Sequence, residues 1–242
     1  MAAPARPRLD TGAVPEPKQV REPWLFAGLF LLTVVTGVVD ATSFLGLGEI
    51  FTANMTGNVL LLGFAATGSR AAGLDHLSFL GTLLALLGFV VGALLGGRVA
   101  GRRGRRPRLG AGLVVEWLLL AGAVVAVGLT RPTGDVRYLA VTLLGLAMGT
   151  QISVVRRMGV PDVNTTVLTT VLGGLAADVV EVGGRPANAG RRVATVVCIF
   201  VGALLGALLV RHGAVWGTAG ALVVMGAATV SLAQSGVLQA AE

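Results

Sequence analysis

The sequence predicts an all-α integral membrane protein: about six transmembrane helices plus two short re-entrant or broken helices, in two internal repeats of one membrane domain. Eight full spans are the alternative. Three observations lead there. Hydrophobic residues make up 54% of the 242, charged residues only 13%, and mean hydropathy is +0.82, outside the range of soluble globular chains. The apolar residues fall into eight segments, of which the second and sixth are short and polar. The 36 glycines are too many for soluble helices but suit membrane helices that approach closely.

In chain order, residues 1–23 are rich in Pro, Ala, Arg and Glu without apolar periodicity, which predicts a disordered cytoplasmic tail. A signal peptide is not expected, because the apolar stretch that follows is too long for one and carries Asp40 in place of a small-residue cleavage site. The first span runs from Trp24, an interfacial anchor, to about Leu45. The polar stretch from Phe51 follows and passes at Val59 into a short apolar helix, with a polar link over 69–76. Leu77 to Gly97 is the next span, with Gly88, Gly92 and Gly96 at four-residue spacing, a packing face. Leu109 to Leu129 contains Glu116 beside Trp117, and a short turn then leads to Tyr138 to Val155. A second polar stretch runs from Pro161 to about Val180, and Val193 to Val210 and Gly213 to Ala233 finish the chain. The repeats are thus 24–130 and 138–235.

Whether the two short segments cross is tested by the distribution of the nineteen Lys and Arg residues. With the N-terminus cytoplasmic and eight crossings, ten lie inside and nine outside; if the short segments enter and leave on one side, fifteen lie inside and four outside. Positive residues favour the cytoplasmic side, so the re-entrant arrangement is preferred. Internal similarity agrees. A shift of 113 residues superposes Gly46 on Gly159, Thr52 on Thr165, Thr56 on Thr169 and Arg98 on Arg211, and Gly-Ala-Leu-Leu-Gly at 92–96 recurs at 202–206. Three crossings per half make the second repeat inverted, an architecture in which interrupted helices build a transport site near the midplane.

The stretch Phe51-Thr52-Ala53-Asn54-Met55-Thr56-Gly57-Asn58 places a polar residue at every second position. In an extended chain all four polar side chains point one way. The expected form is an extended lead-in to a short helix with Asn or Thr near its N-cap, its free N–H groups and positive dipole end aimed into a cavity. Together with Thr36-Gly37-Val38-Val39-Asp40-Ala41-Thr42-Ser43-Phe44-Leu45 and Asn164-Thr165-Thr166-Val167-Leu168-Thr169-Thr170, it resembles the domain-of-unknown-function 1275, or YoaK-type, family of bacterial membrane proteins. The resemblance covers most of the chain beyond Trp24; Thr169-Thr170 departs from it, Thr-Gly being expected there. It implies a multipass membrane protein, usually taken for a transporter, with no assigned active site and no substrate.

Asp40 lies about sixteen residues, roughly 24 Å, into the first span. An intramembrane carboxylate must pair, take a proton or face water, so it is either a functional group or a structural one bonded to Thr42, Ser43 or a neighbouring polar segment. Thr52, Asn54, Thr56 and Asn58 offer hydroxyl and amide groups to a permeant species, or else lock the short segments together. Thr165, Thr166 and Thr169 are weaker candidates, since Thr in a membrane helix often bonds its own i−4 carbonyl. Gln151 is the expected polar counterpart of Asp40, Asp178 and Glu181 the end of the second short helix. Glu116, eight residues and roughly 12 Å from Arg108, is expected to snorkel or pair with an arginine.

The net charge of +7 is juxtamembrane: Arg98, Arg102, Arg103, Arg105, Arg106 and Arg108 form one short loop, topogenic and headgroup-binding instead of nucleic-acid-binding. One Cys and two His exclude a structural disulfide and a Cys/His zinc site, and Cys198 reads as an apolar filler. No phosphate loop, triad, metalloprotease pair or dinucleotide fingerprint is present, so no cofactor and no enzyme activity is expected. The expected function is a bacterial inner-membrane transporter or channel for a small polar solute, with Asp40 as proton-coupling group or substrate contact. The alternatives are a membrane scaffold or partner subunit, and, third, an embedded enzyme using Asp40. The lipid bilayer and the solute are the expected partners; the GxxxG-type faces allow internal packing or a homodimer without choosing.

Overall fold

A computed structural model describes residues 20–66, 78–100, 108–129, 134–159 and 189–240. The described regular structure is helical: α1 (Glu22–Gly46), α2 (Met55–Ala66), α3 (Phe79–Val99), α4 (Leu109–Leu129), α5 (Asp135–Met158), α6 (Ala189–Val210), α7 (Ala214–Gln234) and the short α8 (Val237–Ala240). Six of them, all but α2 and α8, are long and apolar enough to cross a membrane. Arg102, Arg103, Arg105, Arg106, Thr165, Thr166, Thr169, Thr170, Asp178 and Glu181, each given an expected role above, lie outside the described residues.

Local chemistry sets the helix ends. Pro23 opens α1 in its first turn, where a missing N–H costs nothing. Ser78 caps α3 by accepting the Gly81 N–H at 3.1 Å. Gly159 ends α5 with φ of 66°, a left-handed conformation that glycine adopts without strain. α5 starts three residues earlier than its apolar run and α6 four, because polar termini continue a helix where the ends leave the apolar layer. In α6 the extension carries Arg191, whose guanidinium sits 4.2 Å from the Phe26 ring centre.

Glycine contacts fix the relative directions. A Cβ on Gly202 would strike the Val34 carbonyl and one on Gly206 the Val38 carbonyl, so α6 runs parallel to α1. Gly88, Gly92 and Gly96 of α3 lie against Thr142, Leu146 and Thr150, so α3 and α5 are also parallel. By contrast Gly28 meets Leu232 and Gly46 meets Ala214, which makes α1 and α7 antiparallel; Gly112 with Val154 and Gly122 with Leu143 make α4 and α5 antiparallel. Trp117 with Gly226 and Gly128 with Val215 do the same for α4 and α7. It follows that α1 and α5 are antiparallel to each other, and these two are the most enclosed spans.

The packing of the two halves corresponds position by position. Gly37 of α1 closes on the Ile199 carbonyl and the Ala203 amide of α6, while Gly149 of α5 closes on the Phe89 carbonyl and the Ala93 amide of α3. Gly112 of α4 abuts Val154 as Gly217 of α7 abuts Thr42. Each first helix of a half therefore packs on the last two helices of the other half. These seams have no Cβ between the backbones, the close approach that membrane helices use in place of hydrophobic collapse. Three side chains of α5 reinforce one seam: Thr150 donates to Gly92 O at 3.2 Å, Ser153 to Ala93 O at 2.7 Å and Arg157 to Gly97 O at 2.6 Å.

These directions place the end of α1 and the start of α3 at one end of the bundle, so α2 lies between two helix ends on the same side. Ser78 bonding the Tyr138 hydroxyl at 3.0 Å and Gly48 resting on Arg137 hold that end together. The opposite end collects Arg21, Arg98, Arg108, Arg156, Arg157, Arg191 and Arg192, whereas the α2 end holds Arg137 and Arg211.

Candidate functional site

The α1–α2 connection folds back along α1 instead of leaving the bundle. Gly48, with φ of 99°, and Glu49, with φ of 59°, reverse the chain just past Leu47. The following backbone then returns to the level of Asp40, six residues or roughly 9 Å inside the helix end. There Asp40 Oδ1 accepts the N–H of Thr52 at 2.9 Å and of Ala53 at 2.7 Å. A non-helical backbone inside the apolar layer leaves its N–H groups without partners, each worth kcal/mol, and the bend at Thr52 and Ala53 turns two successive ones onto the carboxylate. It also faces the N-terminus of α2, the favourable end of that helix for negative charge.

Three further contacts complete the knot. Asn58 Nδ2 donates to Phe51 O at 2.6 Å while its Oδ1 accepts the Phe51 N–H at 3.1 Å, so one amide side chain satisfies both polar groups of a peptide position. Thr52 Oγ1 lies 3.4 Å from Ser43 Oγ, which itself donates to Asp40 O at 3.1 Å. The Phe44 and Phe51 rings stack with centres 4.7 Å apart.

The structure thus brings Asp40, Thr52 and Asn58 together, with Thr52 and Asn58 buried. Asn54 and Thr56 are exposed, and the expectation of four polar side chains on one side is corrected. The chain bends at Thr52 and Ala53, both buried, which breaks the alternation before Asn54, and the helix from Met55 then turns Asn58 back toward Phe51. Asn54 precedes α2 and accepts the Gly57 N–H at 3.3 Å, the capping role expected of an Asn or Thr there. The helix end is not open to a solute: Asp40 of the same chain already faces it.

Gln151 stands one residue from the position that matches Asp40. Since Gly37 corresponds to Gly149, Asp40 corresponds to Ile152. Gln151 lies in the bundle core, its Nε2 donating to Thr36 Oγ1 at 2.9 Å and Leu32 O at 3.3 Å. Glu116 does not snorkel: it is 0% exposed, on the inner stripe of α4 with Gly112, Leu113, Leu120 and Ala123. Among the described residues no arginine reaches it. The spacing of that stripe, four residues from Gly112 to Glu116 and four more to Leu120, is the sequence signal that places Glu116 inward. The Asn58–Phe51 ring had no sequence signal beyond an Asn seven residues downstream of an aromatic.

A family model described as a protein of unknown function, DUF1275, matches residues 28–233. The chain is also similar to the UPF0700 transmembrane protein YoaK of Bacillus subtilis (strain 168), with 32% identity over 155 residues, covering 62% of this chain and 65% of that protein's own length. No solved structure matches. With six membrane-length apolar helices among its described residues and this model matching 28–233, the chain is a multipass membrane protein of the DUF1275 family.

Proposed function

We propose that the protein is a transporter of a small polar solute in the bacterial cytoplasmic membrane, built as two inverted repeats, 24–130 and 138–235. The observation that carries the proposal is the pair of hydrogen bonds from Thr52 and Ala53 to Asp40: a re-entrant backbone hangs on one intramembrane carboxylate instead of on regular helix bonds. Such a segment is held by few contacts, and its hold weakens, without being lost, when its anion is protonated or drawn to a cationic solute, which gives alternating access a hinge. Asp40 is the coupling group, and Thr52, Asn54, Thr56 and Asn58, with Gln151 and Thr165, Thr166 and Thr169 of the other half, border the path. The crowding of arginines at the end opposite α2 supports a cytoplasmic position for that end and for the N-terminus.

The test is flux into proteoliposomes carrying an internal pH dye, with amino acids, sugars, polyols and inorganic ions presented in turn. A solute-dependent signal that Asp40→Asn abolishes supports the reading. Wild-type vesicles that behave as protein-free ones with every class contradict it. The second reading, a membrane scaffold, is favoured by the internal satisfaction of Asn58 and Thr52, which bond only within the knot among the described residues. It predicts that variants at these positions change abundance and partner recovery while no solute flux exists to lose.

A further inference from the structure

We infer that Glu116 and Gln151 form a proton-binding site in the bundle core, with Glu116 as the carboxyl that takes up the proton and Gln151 Oε1 as the acceptor that holds it. Both residues are buried, at 0% and 1% exposure. Their helices are antiparallel, with Gly112 of α4 against Val154 of α5. One turn inward from that contact along α4 is Glu116, and one turn inward along α5 is Gln151, so the two occupy the same level of one seam.

The orientation of the amide follows from its partners. Gln151 Nε2 donates to the Leu32 carbonyl, which accepts only, so exchanging the oxygen and nitrogen would set two acceptors against each other. Oε1 is thus the atom left over, and among the described residues it meets no donor. Neither Glu116 Oε1 nor Oε2 meets one. Three acceptor oxygens at one level of a buried seam share no hydrogen, and a single proton on the carboxyl supplies the missing donor.

No charge from the surrounding helices does so. On α5 the titratable groups are Asp135, Arg137 and Tyr138 at one end and Arg156 and Arg157 at the other, both of the latter exposed. α1, which Gln151 Nε2 meets, has Glu22 in its first turn and Asp40, which accepts from Thr52 and Ala53; α3 offers only Arg98, at its last turn, α7 has no ionisable side chain and α4 itself has Glu116 alone. A metal cation would need more oxygens than the carboxylate and one amide present, whereas a proton needs one acceptor. The site stands on the packing of α4 against α5 and does not depend on transport.

Infrared difference spectra between H2O and D2O at neutral pH, where water-exposed carboxyls are ionised and give no protonated-carboxyl band, test it on the purified full chain in liposomes. A deuterium-sensitive band of a protonated carboxyl is expected in wild type and in Asp40→Asn, absent in Glu116→Gln and shifted in Gln151→Leu. Persistence of the band in Glu116→Gln overturns the assignment. So does a sodium-dependent rise in the unfolding midpoint of wild type that Glu116→Gln lacks, which means a metal ion is held instead. Should Glu116→Gln fail to fold, Gln151→Leu decides alone: an unshifted band overturns the proposal. A negative flux screen leaves all these readings unchanged, so failure of the transport proposal is distinguishable from failure of this one.

Discussion

Asn58 closes a ring with the Phe51 backbone, its amide donating at 2.6 Å and accepting at 3.1 Å, and so ties the first turn of α2 to the chain that leads into it. Removing the amide leaves a backbone N–H and C=O unpartnered in a part-buried position, at about 1–3 kcal/mol each.

Asn58→Ala is therefore expected to lower the thermal unfolding midpoint in detergent markedly. Asn58→Asp, which keeps the acceptor but loses the donor and adds charge, should lower it at least as much. An unchanged midpoint in both variants would mean that the ring does not hold α2.

Asp40 separates geometry from charge. Asp40→Asn keeps an oxygen that accepts the Thr52 and Ala53 N–H groups, so folded protein should remain near wild-type levels while solute-dependent flux disappears. Asp40→Ala removes the acceptor and should reduce folded protein as well, because two N–H groups are orphaned at membrane depth. Size-exclusion profiles and flux on the same preparations check both expectations.

The glycine seams give a matched pair of substitutions. Gly37→Val and Gly149→Val each push a side chain into a neighbouring backbone, Gly37 at Ile199 and Ala203 and Gly149 at Phe89 and Ala93, so both should abolish folded protein. Gly63→Ala, with nothing within 4 Å of the added carbon, should be tolerated and by helix propensity gain up to about 1 kcal/mol. Expression in membranes and detergent melting curves measure all three. Tolerance at Gly149 with loss at Gly37 would contradict the correspondence of the two seams.

The described helices were largely legible because each is a long apolar run bounded by Gly, Pro or Arg, and hydrocarbon leaves backbone no alternative to helix. The four-residue spacing of Gly88, Gly92 and Gly96 announced the seam that closes on α5. Asp40 was legible as a carboxylate in need of a partner, with the neighbouring polar segment among the expected ones, but that two backbone N–H groups would be the donors was not, since backbone carries no residue-type signature. Glu116 was misplaced because sequence distance to Arg108 gives no information about which side of α4 it occupies. The packing of α4 between α5 and α7 decides that, through contacts far apart in sequence such as Trp117 Nε1 donating to Thr229 Oγ1 at 3.3 Å.

The central claim is that α2 begins and ends on one side of the membrane and that the halves are inverted. Single-cysteine labelling with a membrane-impermeant thiol reagent in intact cells, on a Cys198→Ser background, tests it most directly. Ala72→Cys, between α2 and α3, and His212→Cys, between α6 and α7, should label together, while Arg108→Cys and Arg156→Cys label only after permeabilisation. Labelling of Arg108→Cys together with His212→Cys, with Ala72→Cys protected, would contradict the account, for then α2 crosses the membrane and the two halves run parallel.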